Sequence, residues 1–123
     1  MPKRSSNFDF RKPVAYHAEA KRAFHHHARR RLKQLADALG LPPSAYDLRS
    51  NLAGIAVSGE VTMHADHVYV QACQPATGHD TGLMFRTCQG RKDYHGGPNH
   101  FASLDLLNRP DDLARRIREA CRV

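Results

Sequence analysis

Hydrophobic residues recur every three to four positions from about Ala15 to Leu39, a spacing that predicts an amphipathic helix. One side of this helix is apolar and carries Phe24, Ala28, Leu32, Leu35 and Leu39. The opposite side is basic and carries Arg22, His26, Arg29, Arg30 and Lys33. Lys21 and Arg31 fall on or beside the apolar side, so we expect their stems to be buried and their charged ends to reach solvent. Gly40 suits the position after the helix, and Pro42 and Pro43 prevent its continuation.

The pattern then changes to alternation of apolar and polar residues, which predicts strands. A first strand is expected over 53–64, a second over 67–73 and a third over 83–88, with a loop over 44–51 before them. The two-residue link at 65–66 implies that the first two strands form an antiparallel hairpin. The expected core-facing residues are Ile55, Val57, Val61, Met63, Val68, Val70, Ala72, Leu83 and Phe85. An exposed sheet face would carry Glu60, Tyr69, Gln71 and Arg86.

A final helix is predicted to start near Asn108–Pro110, because Leu113, Ile117 and Cys121 share one side and acidic residues occupy the first turn. A helical turn is expected over 103–107, after a loop over 89–100. The order α-β-β-β-α predicts an α+β fold, with a three-stranded antiparallel meander whose one face is covered by the helices. Residues 1–13 are interpreted as a flexible basic arm, with Phe8 and Phe10 as anchors, and residues 14–123 as one domain.

Composition places the chain among intracellular globular proteins. Its three cysteines are widely spaced and form neither a metal-binding pair nor a disulfide framework, which indicates free thiols in a reducing compartment. Neither a secretory signal nor an apolar stretch of membrane-spanning length occurs in the sequence. We therefore expect a cytoplasmic protein that does not bind membranes.

The positive charge is concentrated in the first third of the chain. Residues 1–33 contain ten lysines and arginines against two acidic residues, a net charge of +8. The other ninety residues contain nine basic and ten acidic residues, a net charge of −1. Such an asymmetry favours an anionic partner, either nucleic acid or an acidic protein surface. A solvated helix face that only keeps the protein soluble is the alternative.

The loop GRKDYHGGPNH over 90–100 combines glycines with cations, an aromatic ring and histidines. Its candidate anion-binding residues are Arg91, Lys92, Tyr94 and His95, which suit phosphate or an unstacked base. The alternative is a surface loop whose glycines serve its turns. No phosphate-binding or dinucleotide-binding fingerprint is present in the sequence, and we expect no cofactor.

The nine histidines raise the question of a metal site. His25, His26 and His27 point in different directions on a helix, so one ion cannot bind all three. His26 lies on the basic side, where protonation in mild acid would strengthen anion binding. His64, His67, His79, His95 and His100, with Asp80 and Asp93, could form a metal site only if their loops converge. A small metal-dependent phosphoesterase therefore stays open as an alternative, although we predict no metal ligands.

Two resemblances accompany this interpretation. The α-β-β-β-α order with basic charge is similar to the double-stranded RNA-binding domain and would cover residues ~15–122. That family holds phosphates with lysines at the start of its last helix, where this sequence has Asp111 and Asp112. The runs SNLAGIAVSGEVTMHADHVYVQ and FRTCQGRKDYHGGPNHF resemble functionally unassigned small proteins of bacterial integrative and conjugative elements. This second likeness implies an accessory protein that works among DNA-handling or host-defence genes.

The sequence as a whole favours a non-enzymatic accessory protein that binds nucleic acid through the basic side of its first helix. A protein-interaction or inhibitor module of a mobile genetic element is the second hypothesis. We predict no catalytic residue, since no nucleophile motif is present in the sequence.

Overall fold

Two α-helices and a five-stranded antiparallel sheet make up residues 7–75 and 81–121, the part of the chain that this computed structural model describes. The helices are α1 (Ala18–Ala38) and α2 (Pro110–Cys121). The strands are β1 (Tyr46–Asn51), β2 (Glu60–Ala65), β3 (Val68–Cys73), β4 (Leu83–Thr87) and β5 (His100–Ala102), and they lie side by side in chain order. Short 3₁₀ helices cover Pro43–Ala45 and Leu104–Asn108. The predicted α+β class is confirmed, but the sheet has five strands rather than three.

Helix α1 follows its predicted bounds closely. Its apolar side is fully buried against the sheet, including Phe24, Leu32 and Leu35. At its end Gly40 adopts a left-handed φ of +76° and the Leu41 amide bonds to the Ala36 carbonyl, which closes the helix. The last turn of α1 contains no basic residue of its own, and Arg118 of α2 donates a 2.6 Å hydrogen bond to the Ala38 carbonyl instead.

The register of the strands gives the sheet two chemically different faces. The inner face carries Val61, Met63, Val70, Ala72, Leu83 and Phe85, which form the core together with both helices. The outer face, which looks away from the helices, carries two rows of paired residues. One row is Arg49, Thr62, Gln71, Met84 and Phe101, and the other is Asp47, His64, Tyr69 and Arg86.

The predicted boundaries around the first strand are wrong. The expected loop over 44–51 contains β1, and the expected strand over 53–64 begins only at Glu60. Asn51 ends β1 by accepting a 3.0 Å hydrogen bond from the Ala53 amide through its side chain, and Ala53 takes a left-handed φ of +52°. The chain therefore leaves the sheet over 52–59, and Ile55 and Val57, predicted to face the core, are exposed.

The 52–59 connection is held on α1 by buried polar groups. Lys21, predicted to extend its charged end to solvent, is buried instead, and its ammonium donates a 2.7 Å hydrogen bond to the Gly54 carbonyl. His25 lies 2.8 Å from the Ser58 carbonyl through Nε2, and the Tyr16 amide bonds to the Ile55 carbonyl. These contacts fix the connection although its apolar side chains lie in solvent.

Residues 7–13, the described part of the predicted arm, contact the domain. Phe10 is completely buried beside Phe24, and Phe8 stacks on His27. Asn108 exchanges hydrogen bonds with both backbone groups of Phe8, and Gln74 donates to the Phe10 and Lys12 carbonyls. Residues 1–6 lie outside the described part of the chain. Strand β5, which was not predicted, pairs three residues with β4 at the end of the predicted 89–100 loop and just after it.

Candidate functional site

The basic side of α1 is exposed to solvent as a group. Arg22, His26, Arg30 and Lys33 are exposed, and Arg29 is half-buried. Within residues 7–75 and 81–121, no ion pair involves Arg22, Arg30 or Lys33. The acidic residues of α1, Glu19 and Asp37, lie in its first turn and near its end. A row of uncompensated cations between them can bind an anion without first breaking an internal ion pair.

The charges of this surface act on the neighbouring His27. Burial lowers the pKa of His27, and the neighbouring His26, Arg30 and Arg31 lower it further. These cations raise the local positive potential and thereby disfavour another charge. The middle of the helix is therefore a positive surface.

Arg29 connects this helix surface to the edge of the sheet. Its Nη1 lies 3.2 Å from the Ser50 Oγ and 3.5 Å from the Leu48 carbonyl, both on β1. Strand β1 lies at an edge of the sheet, because β2 is its one partner among the strands described. The cationic side of α1 therefore reaches the β1 edge of the sheet from the inner face.

The candidate residues of the 90–100 loop, Arg91, Lys92, Tyr94 and His95, lie on the side of the sheet opposite to α1. The 88–99 loop covers part of the outer face, where the Gly90 carbonyl bonds to His64 and the Tyr94 ring packs on the His64 ring. The structure therefore does not place the loop on the basic side of α1. Lys92, Tyr94 and His95 are exposed. Arg91 is held by the chain's own acceptors: it pairs with Asp47 at 3.5 Å and Asp66 at 3.2 Å.

An open pocket of about 360 Å³ lies on the outer face between β1 and the 88–99 loop. It is lined by Arg49, Ser50, Asn51, Glu60, Thr62, Tyr69 and Tyr94. Arg49 places its guanidinium 5.8 Å from the centre of the Tyr94 ring. Burial, followed by the Glu60 carboxylate, raises the pKa of Tyr69, whose hydroxyl donates to the Gln71 side chain at 3.1 Å. The pocket thus offers donors, one carboxylate and an exposed ring.

The side chains of His64 and Arg86 hold the residues that line the pocket in position. His64 is completely buried; its Nε2 lies 2.9 Å from the Gly90 carbonyl and its Nδ1 lies 3.1 Å from Arg49 Nη2. Arg86 lies over the Tyr69 ring and donates a 2.6 Å hydrogen bond to the Tyr94 carbonyl. These contacts fix the backbone of Tyr94 and the position of Arg49.

The candidate metal residues do not converge within the described part of the chain. His64 lies on the outer face, whereas His100 pairs with Phe85 of the inner face and stacks on its ring. No group of three or more histidine, cysteine or acidic residues suited to a metal ion occurs among the residues described. His79 and Asp80 lie outside that part.

The three cysteines are free, as predicted. Burial raises the pKa of Cys73, Cys88 and Cys121, so each favours the protonated thiol, which is the weaker nucleophile.

Four pocket residues are not indicated by the sequence pattern: Arg49, Ser50, Asn51 and Thr62. The sequence pattern predicts a loop over 44–51, which assigns no sheet face to the side chain of Arg49. The alternation of Tyr46 and Leu48 with Asp47 and Arg49 is the signal for β1, although it spans few residues. The register confirms that Glu60, Tyr69, Gln71 and Arg86 share one face of the sheet. The predicted exposure of that face is wrong for these residues, because Tyr69 is buried and the other three are half-buried.

Comparison with protein-family models, with curated proteins and with solved structures finds no match to the chain. Among the residues described, no helix has the length and apolar character needed to cross a membrane.

Proposed function

We propose that this chain is a non-enzymatic accessory protein that binds nucleic acid through the exposed cations of α1. The supporting observation is that Arg22, Arg30 and Lys33 are exposed without an ion pair in the described part of the chain. Cations arranged along one helix side bind backbone phosphates and release the counterions condensed on them. Such contacts position a protein on nucleic acid without reading its sequence. The resemblance to proteins of mobile elements fits this role and contributes no site residues.

Fluorescence anisotropy with labelled duplex and single-stranded oligonucleotides tests the proposal. If three to five phosphates are contacted on duplex DNA, affinity should fall about 40- to 500-fold between about 50 and about 200 mM salt. The combined variant Arg22→Gln, Arg30→Gln and Lys33→Gln should weaken binding strongly at the lower salt. Absence of binding by the unsubstituted protein at the lower salt would overturn the proposal.

A matched control separates the α1 surface from the effect of net charge. Arg109, Arg115 and Arg116 are exposed, and Arg115 is paired with Asp112 on α2. Changing these three arginines to Gln removes the same number of cations and should cost clearly less affinity than the α1 variant. Equal losses would show that net charge, rather than this helix surface, drives binding.

A protein partner is the second candidate function, because an apolar group is exposed near the start of α1. It consists of Tyr16, Leu52, Ile55 and Val57, each about half exposed or more. Exposed apolar groups beside cations are typical of protein interfaces rather than phosphate-binding surfaces. A pull-down after nuclease treatment tests this role: a partner that Ile55→Ser releases and the α1 variant retains would favour it over nucleic-acid binding.

A further inference from the structure

We infer that the outer-face pocket binds an unpaired base of single-stranded nucleic acid whose backbone lies on α1. The inference rests on the proposed function and adds the type of nucleic acid. Tyr94 is 54% exposed, although its backbone carbonyl is held by a hydrogen bond from Arg86. One side of the ring packs against the buried His64 at 5.3 Å between ring centres. A base can stack on an aromatic ring that is held in place and open to solvent.

Arg49 adds a second group that suits a base in this position. Its guanidinium lies near the Tyr94 ring and is oriented by its contact with His64 Nδ1. Planar guanidinium groups stack on bases and also donate hydrogen bonds to base edges or phosphates. Ring and guanidinium together form two walls of the pocket, whose volume of about 360 Å³ lies in the range of small-molecule sites.

Glu60 makes a base a better occupant of the pocket than a phosphate. A carboxylate on the pocket lining repels a phosphate group, but it accepts hydrogen bonds from the exocyclic amino group of a base. Asn51 and Thr62 provide further donors and acceptors beside it. We therefore expect bases that carry an amino group to be preferred over thymine or uracil.

The location of the pocket relates it to the helix surface. Ser50 lies on the edge strand β1 and lines the pocket, while its Oγ, which the register places on the inner face, lies within hydrogen-bonding distance of Arg29 on the cationic side of α1. A single-stranded nucleic acid whose phosphates lie on α1 can therefore pass over the β1 edge and place a base in the pocket. A duplex would first have to unpair that base, at a cost of a few kcal/mol. This geometry favours single strands.

Binding of single-stranded oligo-dC, oligo-dT and a duplex, each of about 12 nucleotides, tests the inference at neutral pH. Tyr94→Ala should weaken oligo-dC binding about 5- to 100-fold, the effect of losing one stacked base, and leave duplex binding unchanged. Glu60→Gln should reduce a preference for oligo-dC over oligo-dT, because the amide is a weaker acceptor for the cytosine amino group. Circular dichroism and thermal unfolding of each variant verify that the fold is retained.

Phe101 provides the matched control. It is 56% exposed on the same sheet face and does not line the pocket, so Phe101→Ala should leave single-strand affinity unchanged. Equal effects of Tyr94→Ala on single strands and duplex, or no effect on either, would overturn the inference and leave the α1 proposal standing. Absence of binding to any oligonucleotide at low salt would overturn both.

Discussion

His64 shows how one buried side chain organises the outer face. The Gly90 carbonyl can only accept a hydrogen bond, and the Arg49 guanidinium can only donate one. Both contacts are therefore made together only by the neutral ring with its proton on Nε2. Burial lowers the pKa of His64, the Gly90 hydrogen bond opposes this shift, and the Arg49 charge adds to it. Of the other charges, Asp47 raises this pKa and Arg86 lowers it.

The stability of the protein should consequently decrease in mild acid. The folded protein binds the His64 proton less readily than the unfolded chain, so this contribution is complete above the ordinary pKa of 6.5 and is lost as the pH falls below it. His64→Gln keeps a donor near Gly90 but does not titrate. We expect it to lower the free energy of unfolding by about 1–3 kcal/mol at neutral pH. Between pH about 6.5 and about 5, the unfolding free energy of this variant should change less with pH than that of the unsubstituted protein. The difference between the two slopes is at most about 1.4 kcal/mol per pH unit, the contribution of one titrating group.

Urea unfolding at several pH values measures this effect, with His27→Gln as the comparison. The pKa of His27 is also lowered, but His27 is half-buried and stacks on Phe8, away from the outer sheet face. Each variant should remove its own part of the pH dependence. An unchanged pH dependence in His64→Gln would contradict the assignment.

At the scale of elements, the 88–99 loop is a folded structure rather than a flexible connection. Asp93 accepts hydrogen bonds from the amides of Gln89, His95 and Gly96, and these bonds lower its pKa. Gly96 adopts a φ of +56°, and a Cβ there would lie 2.3 Å from the Thr87 carbonyl oxygen. The backbone of the loop is therefore packed directly on the end of β4.

Gly96→Ala should accordingly be more destabilising than the same change at Gly40. Gly40 also has a left-handed φ, +76°, but a Cβ there meets no atom within 4 Å. We expect about 1 kcal/mol of destabilisation for Gly40→Ala, from backbone strain alone, and about 2–4 kcal/mol for Gly96→Ala, from strain and steric overlap. Thermal or urea unfolding compares them. Similar small losses in both variants would mean that the loop is not packed as described.

The elements also show what the sequence can and cannot reveal. Helices α1 and α2 were predicted correctly because their apolar positions repeat over several turns. The β2–β3 hairpin was predicted from a short link between alternating segments. Strand β1 and the three-residue β5 were missed because their apolar signal is too short, and the exposed Ile55 and Val57 extended the first predicted strand in error. The pocket depends on register and on the position of the 88–99 loop, which arise only when the sheet forms.

At the scale of the whole molecule, two surfaces of different chemistry lie on opposite sides of the sheet and meet at the β1 edge. The α1 surface is cationic and makes long-range, salt-sensitive contacts. The pocket combines an aromatic ring with polar groups, whose contacts are short-range and depend little on salt. If the α1 surface and the pocket bind the same single-stranded nucleic acid, their contributions to affinity can be separated by varying the ionic strength.

The salt dependence of single-strand binding should therefore distinguish substitutions on the two surfaces. Each of Arg22→Gln, Arg30→Gln and Lys33→Gln removes one phosphate contact and should reduce the slope of log K against log salt by about 0.7. Tyr94→Ala removes stacking and should lower affinity at every salt concentration without changing the slope. Anisotropy titrations over a series of salt concentrations measure both quantities for each variant. A changed slope in Tyr94→Ala, or an unchanged slope in all three α1 variants, would show that the charges are not distributed between the surfaces in this way. The expected division follows from the fold, because α1 packs on the inner face and leaves its cations in solvent, while Tyr94 lies on the outer face.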